Sequence, residues 1–345
     1  MCTIKHLSNK VLKDLEEYIP DMNKSPREKL SLCIAAILEV RSCNTMEISA
    51  ALPLESERND MRYQWLSRFL RTGTVDNHAI MTPFIKQALR LSSKDQDKII
   101  LSIDQTSIKD KHGIVMISVR YGNRSLPLSW LDKAGKGNIR FSTYKSILDN
   151  IYDLIPKDKE VILMGDRFYG CCDLISYCQS HEWDYRLRLK ESFKVDLGNN
   201  NKTFIKDLTV NLPPKGQYYQ DVLLTNKLIK TNLGILHEKG HPEPWIIASG
   251  SSINYHKTLD YGLRWGIESM FSDFKSRGFG LEETNLECPK RVSRLILILS
   301  IALHWATIAG ILDENNNPLP QEKKQKSLVL AVMKTKKPIL QLCQI

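Results

Sequence analysis

"EVILMGDRFYG", residues 160–170, decides the fold class. Val161, Ile162, Leu163 and Met164 run without polar alternation, the pattern of a strand covered on both faces. Gly165, Asp166 and Gly170 end the run in a turn, so an acid stands where a buried strand stops. "DKIILSIDQTS", residues 97–107, has the same form, with Ile99, Ile100, Leu101 and Ile103 leading to Asp104. Between the two lie "GIVMISVRYG" and "RSLPLSWLD", which read as strands, and "FSTYKSILDNIYDLI", which reads as a helix. "CCDLISYCQSHEW" then reads as a helix and "DYRLRLK" as a strand. The order β-β-β-α-β-α-β predicts an α/β domain, a mixed sheet with helices on both faces. Ligands of open α/β sheets gather where strands end, so Asp104 and Asp166 are expected to be neighbours.

The flanking regions differ in texture. Residues 1–95 read as helical. "SPREKLSLCIAAILEV" offers Ser25 as an N-cap with Pro26 and Glu28 in the first turn. "NTMEISAAL" and "NDMRYQWLSRFLRTG" follow, a short helix and a basic one, an order compatible with a helix-turn-helix DNA reader. Arg62, Arg68 and Arg71 are its candidate DNA contacts. Residues 96–190 are the first part of the α/β core. Residues 191–250, punctuated by "GNNNKT", "LPPKG" and "KGHPEP", read as a β-rich insertion. Residues 251–312 return to helix, and 313–345 form a Lys-rich tail.

The 345-residue chain is 42% hydrophobic and 26% charged, enough for a large core and more than one domain. Its net charge of +10 favours a polyanionic partner, most simply nucleic acid. The excess lies in short clusters: Lys133, Lys136 and Arg140; Arg186, Arg188, Lys190 and Lys194; Lys290, Arg291 and Arg294; Lys323, Lys324 and Lys326. "MCTIKHLSNK" has no signal-peptide apolar region, so a cytosolic protein with reduced cysteines is expected. Cys171, Cys172, Cys178 and His181 do not have a zinc spacing and read as buried small side chains. "LILILSIALHWATIAGIL", residues 295–312, is long enough to span a membrane, but its Ser300, His304, Thr307 and Gly310 suit a buried core helix.

"YGLRWGIESMFSDFK", residues 261–275, carries the chemistry. Read as one α-helix, it places Tyr261, Arg264, Glu268 and Lys275 on one narrow stripe, because each residue turns the helix by about 100°. Leu259, Leu263, Ile267, Met270 and Phe274 take the opposite side. Taken alone, such a stripe is also what a solvated polar face looks like, and each Asp what a strand end carries. Together, three carboxylates converging on a sheet edge repel one another unless a cation sits among them, and Mg²⁺ or Mn²⁺ suits such oxygen ligands.

Asp104 in "LSIDQTS", Asp166 in "LMGDRFYG" and the complete Y-x2-R-x3-E-x6-K pattern resemble the DDE transposases of bacterial insertion sequences, in particular the IS-four family with its YREK signature. The resemblance covers residues of about 98 to 312. It implies an RNase H-like core with a β-rich insertion before the last catalytic helix, and cut-and-paste transposition. Metal-dependent cleavage at element ends would be followed by strand transfer to target DNA. It further implies Asp104, Asp166 and Glu268 as catalytic, metal-binding residues for two Mg²⁺ ions, with Mn²⁺ as a substitute, and Tyr261, Arg264 and Lys275 as contacts to end DNA. Trp245 in "EPWIIASG", 16 residues before Tyr261, resembles the family tryptophan that stacks on an extruded base, against a reading as a core residue of a strand. The expected partners are double-stranded DNA (terminal inverted repeats and target) and a second copy of the chain on that DNA, in a bacterial or archaeal cell near the nucleoid, with no membrane. An RNase H-like nuclease without transposition, or a catalytically silent DNA-binding relative, are the competing readings.

Overall fold

The computed structural model describes residues 2–316 except 57, 73–75, 136, 138, 199–200 and 225–226. Lys136, the cluster Lys323, Lys324 and Lys326, and nearly all of the Lys-rich tail lie outside the described residues.

Five helices open the chain: α1 (Cys2–Tyr18), α2 (Lys24–Val40), α3 (Thr45–Ala51), α4 (Asn59–Arg71) and α5 (Asn77–Ser92). Ser25 is not the N-cap of α2. Asn23 precedes the helix, and Ser25 and Pro26 lie within its first turn, where N–H groups have no intrahelical partner and a proline costs nothing. Asn44 and Asp76 do cap α3 and α5, their side chains accepting from Met46 N and His78 N.

The α/β order follows as expected: β1 (Lys98–Ile108), β2 (His112–Tyr121), β3 (Arg124–Ala134), α6 (Phe141–Tyr152), β4 (Glu160–Gly165), α7 (Cys172–Ser180) and β5 (Asp184–Arg188). The first three strands form an antiparallel meander, while β4 and β5 pair in parallel, since α6 and α7 carry the chain back across the sheet. Every residue of β2 from His112 to Val119 is buried, which requires cover on both faces.

Residues 191–250 contribute β6 (Lys194–Asp196), β7 (Lys202–Phe204), a short α8 (Ile205–Leu208), β8 (Gln217–Leu224), β9 (Ile229–Leu236) and β10 (Trp245–Ser249). These strands extend the same sheet. β10 pairs antiparallel with β5, giving one ten-stranded sheet in the order β3-β2-β1-β4-β5-β10-β9-β8-β6-β7.

The segment read as one catalytic helix is three pieces: α9 (Tyr255–Leu259), a 3-10 turn (Asp260–Trp265) and α10 (Gly266–Phe274). Gly266 opens α10. A Cβ there would stand 2.7 Å from Ser125 Oγ and 3.3 Å from Arg124 O, so its absence lets α10 start flat against β3. Helix α11 (Pro289–Asn316) follows, and its long apolar run is 94% buried in the fold. It packs on β3 and on α2, α4 and α5, so the amino-terminal helices share one continuous apolar core with the sheet. Cys33, Cys43, Cys172 and Cys178 are buried within it.

Candidate active site

Parallel pairing of β1 with β4 sets Ile103 opposite Gly165, so Asp104 and Asp166 each follow the last paired residue of adjacent central strands. Two glycines shape the turn that holds Asp166. A Cβ on Gly165 would meet Tyr169, Ile103 and Leu187 side chains at 2.9–3.1 Å, and one on Gly170 would stand 1.9 Å from Arg188 O. Phe168 N donates to Asp166 Oδ1 at 2.8 Å, and Tyr169 N and Gly170 N both donate to Asp166 O at 3.0 Å. Asp104 Oδ1 accepts from Gln105 N at 2.7 Å.

Glu268 lies in the first turn of α10, and its side chain remains half exposed. Arg264 joins it to the strand ends. Arg264 Nη1 donates to Asp104 Oδ2 at 2.8 Å, and Nη2 donates to Glu268 Oε1. The guanidinium sits over the Tyr261 ring, 5.6 Å from its centre. That approach follows from the 3-10 turn, in which residues three apart eclipse one another. Only 6% of Arg264 is exposed.

Burial pushes the Asp104 carboxyl up to about 6; Arg264 opposes the rise, while the charges of Asp166 and Glu268 add to it. Among the described residues no group of three His, Cys, Asp or Glu side chains is set to hold a metal ion, and a guanidinium lies between Asp104 and Glu268 instead. The donor set nevertheless fits a hard divalent cation. All three groups offer carboxylate oxygen, and Asp104 carries the electrostatic strain that a cation relieves. Asp104, Asp166 and Glu268 could hold such an ion once Arg264 turns away.

Three expectations need correction. Lys275 does not join the stripe: it follows the end of α10 with φ −95° and ψ −123°, and its ammonium pairs with Glu282 at 2.9 Å. The stripe required a continuous helix, and the helix is neither continuous nor long enough. Trp245 is 3% exposed at the start of β10. It packs with Ile247, Ile253 and Tyr261 in a second small core, edge-on to Tyr261 at 5.2 Å, so neither ring face is open to a base. Arg62 is 7% exposed and donates to three backbone carbonyls, those of Ser56 at 2.6 Å, Ala50 at 2.9 Å and Leu54 at 3.5 Å. It fastens the connection between α3 and α4 and has no face left for DNA. Arg68 and Arg71 are exposed. Tyr261 is 3% exposed and serves as the floor beneath Arg264.

Sequence reading gave no role at the site to the residues around the acids, although Arg188 and Lys190 were named in a basic cluster. Phe168, two residues after Asp166, is 56% exposed, with Lys190 Nζ 5.6 Å from its ring centre. Arg167 and Arg188 converge on Glu243 at 2.9 and 3.3 Å. Trp265 is 41% exposed and stacks on His241 at 5.2 Å. Arg167 and Phe168 were signalled only by adjacency to Asp166 and Trp265 by nearness to Glu268, and Arg188 and Lys190 by their basic cluster. Two members of the predicted basic clusters, Arg186 and Arg294, are buried; Arg186 bonds Asp184, Tyr185 O and Ser249.

The family description that matches this chain is "Transposase DDE domain", over residues 95–305. The chain belongs to the DDE transposase domain family. The matched span contains both strand-end aspartates and the segment bearing Arg264 and Glu268. No curated protein matches it. Among solved structures it is similar to Marinitoga piezophila Argonaute in complex with 5′ OH guide RNA and target DNA, at 12% identity and a TM-score of 0.21. That match covers 66% of this chain and 34% of the Argonaute chain, so the chain spans about a third of the length of that relative. A TM-score this low carries no weight for the function.

Proposed function

We propose that the chain is a cut-and-paste DNA transposase of the IS-four type, in which Tyr261, Arg264 and Glu268 of the Y-x2-R-x3-E-x6-K pattern form the site and Lys275 is turned away to Glu282. The observation that carries this reading is the link from Asp104 through Arg264 to Glu268, beside Asp166 on the neighbouring strand. The strand order β3-β2-β1-β4-β5, an antiparallel meander continued by two parallel strands, supports an RNase H-like core.

Asp104, Asp166 and Glu268 would hold two Mg²⁺ ions, or Mn²⁺ in their place. When bound, these supply Lewis-acid stabilisation of the attacking and leaving oxygens of a phosphodiester. The chain's own residues do the rest. In the turn from Asp166 to Gly170, Phe168 N fixes one carboxylate while Tyr169 N and Gly170 N hold the Asp166 main-chain carbonyl, and Gln105 N fixes the Asp104 carboxylate. Arg264 is the resident counter-ion of Asp104 and Glu268 without DNA. A phosphate offers its guanidinium a bidentate partner in place of one bond to each of two carboxylates, so DNA arrival draws it off Asp104 and Glu268 and onto the backbone. Buried Tyr261 keeps that guanidinium at the site in either state. Arg167, Arg188 and Lys190 form the cationic flank along which the strand beyond the cut would run. The substrates would be terminal inverted repeats and target DNA, with two copies of the chain on paired ends.

The test uses duplexes made from the DNA flanking the reading frame. In Mg²⁺ the wild-type chain should cleave at the element boundary and leave a 3′-OH. Asp104→Ala, Asp166→Ala and Glu268→Ala should each lose at least about 10³-fold in cleavage, the upper range for one preorganised charge. Binding of the same duplex in EDTA should remain. Near-normal cleavage by any of the three variants would sink the assignment.

A further inference from the structure

The segment "HPEPW", residues 241–245, sets an acid among cations. Pro242 fixes its own φ and Pro244 holds the residue before it extended, so Glu243 stands on a stiff connection leading into β10. One oxygen of its carboxylate, Oε2, accepts from Arg167 Nη1 at 2.9 Å and from Arg188 Nη2 at 3.3 Å. The two arginines come from different elements: Arg167 directly follows Asp166, and Arg188 ends β5. Gly170 lets these elements close up, since a Cβ there would stand 1.9 Å from Arg188 O. Arg188 Nη2 also donates to Pro244 O at 3.2 Å, which keeps it beside the acid. Among the described residues neither arginine pairs with another carboxylate. Arg167, Arg188, Lys190 and Glu243 line a cavity of about 430 Å³ with Phe168 as one wall. Phe168 also walls the cavity of about 350 Å³ that holds Asp104 and Asp166, so the two cavities meet at the turn after Asp166.

We propose that the arginine cavity is a phosphodiester site and that Glu243 holds the place of the phosphate until DNA arrives. The proposal rests on the reading of the chain as acting on DNA. An anionic oxygen shared by two guanidinium groups is how a phosphate oxygen is bound, and a carboxylate oxygen imitates it. The stiff segment argues against a wandering surface acid, because the prolines leave Glu243 little backbone freedom. Its ion pairs are nevertheless weak enough to exchange, since Arg167 and Glu243 are both about half exposed. A DNA phosphate brings the same single charge, and the next phosphates along the strand add Lys190. Glu243 therefore cancels one of the two arginine charges in the DNA-free chain and yields it when a strand lies past Phe168.

Binding of the full chain to duplexes made from the DNA flanking the reading frame is measured in EDTA across a salt series. Glu243→Gln should bind about three- to ten-fold more tightly at low salt. Its plot of log affinity against log salt should steepen by about 0.9, the release of one further counterion. In the Arg167→Gln, Arg188→Gln background the same substitution should change affinity by less than about two-fold. Neutral methylphosphonates, placed one at a time on either side of the cut, should abolish the gain at one position. This series leaves the chain untouched, so it decides the question even if the double variant fails to fold by thermal melt. Unchanged or weaker binding by Glu243→Gln would make the acid a fastener of its connection and overturn the proposal. A gain that survives every phosphonate would be the general field of one charge and would overturn it as well. A wild type that binds no duplex would remove the DNA reading of the whole chain, and the proposal with it.

Discussion

Arg62 and Arg264 are almost equally buried, at 7% and 6% exposed, yet one is a fastener and the other belongs to the candidate site. The difference is in what they touch. Arg62 donates to backbone carbonyls of the connection between α3 and α4, neutral acceptors whose positions are part of the fold. Arg264 donates to Asp104 and Glu268, carboxylates that can exchange a guanidinium for another cation. Among the described residues its buried Nε has no hydrogen-bond partner, whereas all three hydrogen bonds of Arg62 close on backbone carbonyls. Burial alone therefore does not separate structure from chemistry in this molecule, but the charge of the partners does.

The strongest test of the separation is on the apolar side of the signature segment. Trp245→Ala should leave a cavity costing about 3–5 kcal/mol, seen as a fall in the denaturant midpoint. Nicking and any later step should then fail together, and an abasic substrate should not rescue either. Selective loss of one step with stability intact would return Trp245 to the site.

Next in size is the pH dependence of Asp104. Its folded pKa of about 6 lies above the ordinary 3.8, so the folded chain binds the proton more tightly than the unfolded chain. Stability relative to Asp104→Asn is therefore highest at low pH and falls as pH rises from about 4 to above 6. The fall should be on the order of 2–3 kcal/mol in metal-free buffer. A relative stability that instead increases over this window would mean that Arg264 outweighs burial.

Arg62→Ala should cost roughly 2 kcal/mol, since three carbonyls lose a charged donor. Lys at this position should not restore the loss, because an ammonium cannot reach three divergent oxygens as a planar fork does. Equal stability of the Arg, Lys and Ala forms by chemical denaturation would show that the connection does not depend on Arg62.

The smallest effect expected is on the exchangeable arginine. Arg264→Gln removes the resident cation, so Mn²⁺ should bind the DNA-free chain at least about ten-fold more tightly, a fraction of one close charge pair. Calorimetry with Mn²⁺ alone reads this directly. Unchanged or weaker binding would show that Arg264 does not compete for the carboxylates.

Much of the α/β core was legible because short-range physics dictates it. Unbroken apolar runs ending at Asp104 and Asp166 require buried strands, and the alternation with amphipathic helices requires parallel crossovers. The continuation of that sheet through β10 was not legible, since the pairing of β10 with β5 joins segments of more than fifty residues' separation whose local patterns do not name their partners. The signature segment was read as one helix because its periodicity is helical. It instead tightens to a 3-10 turn over Asp260–Trp265 before Gly266 lies against Arg124 and Ser125, a contact with β3 that no local pattern encodes.

The same division holds among the candidate site residues. Sequence by itself determined which acids could cooperate, because strand ends and helical offsets are local properties that residue type and spacing express. Tertiary structure alone decided the roles of the long side chains. A guanidinium or an indole reaches several ångströms from its backbone, and its role depends on what it meets there: carbonyls for Arg62, carboxylates for Arg264, a closed aromatic core for Trp245 and open solvent for Phe168.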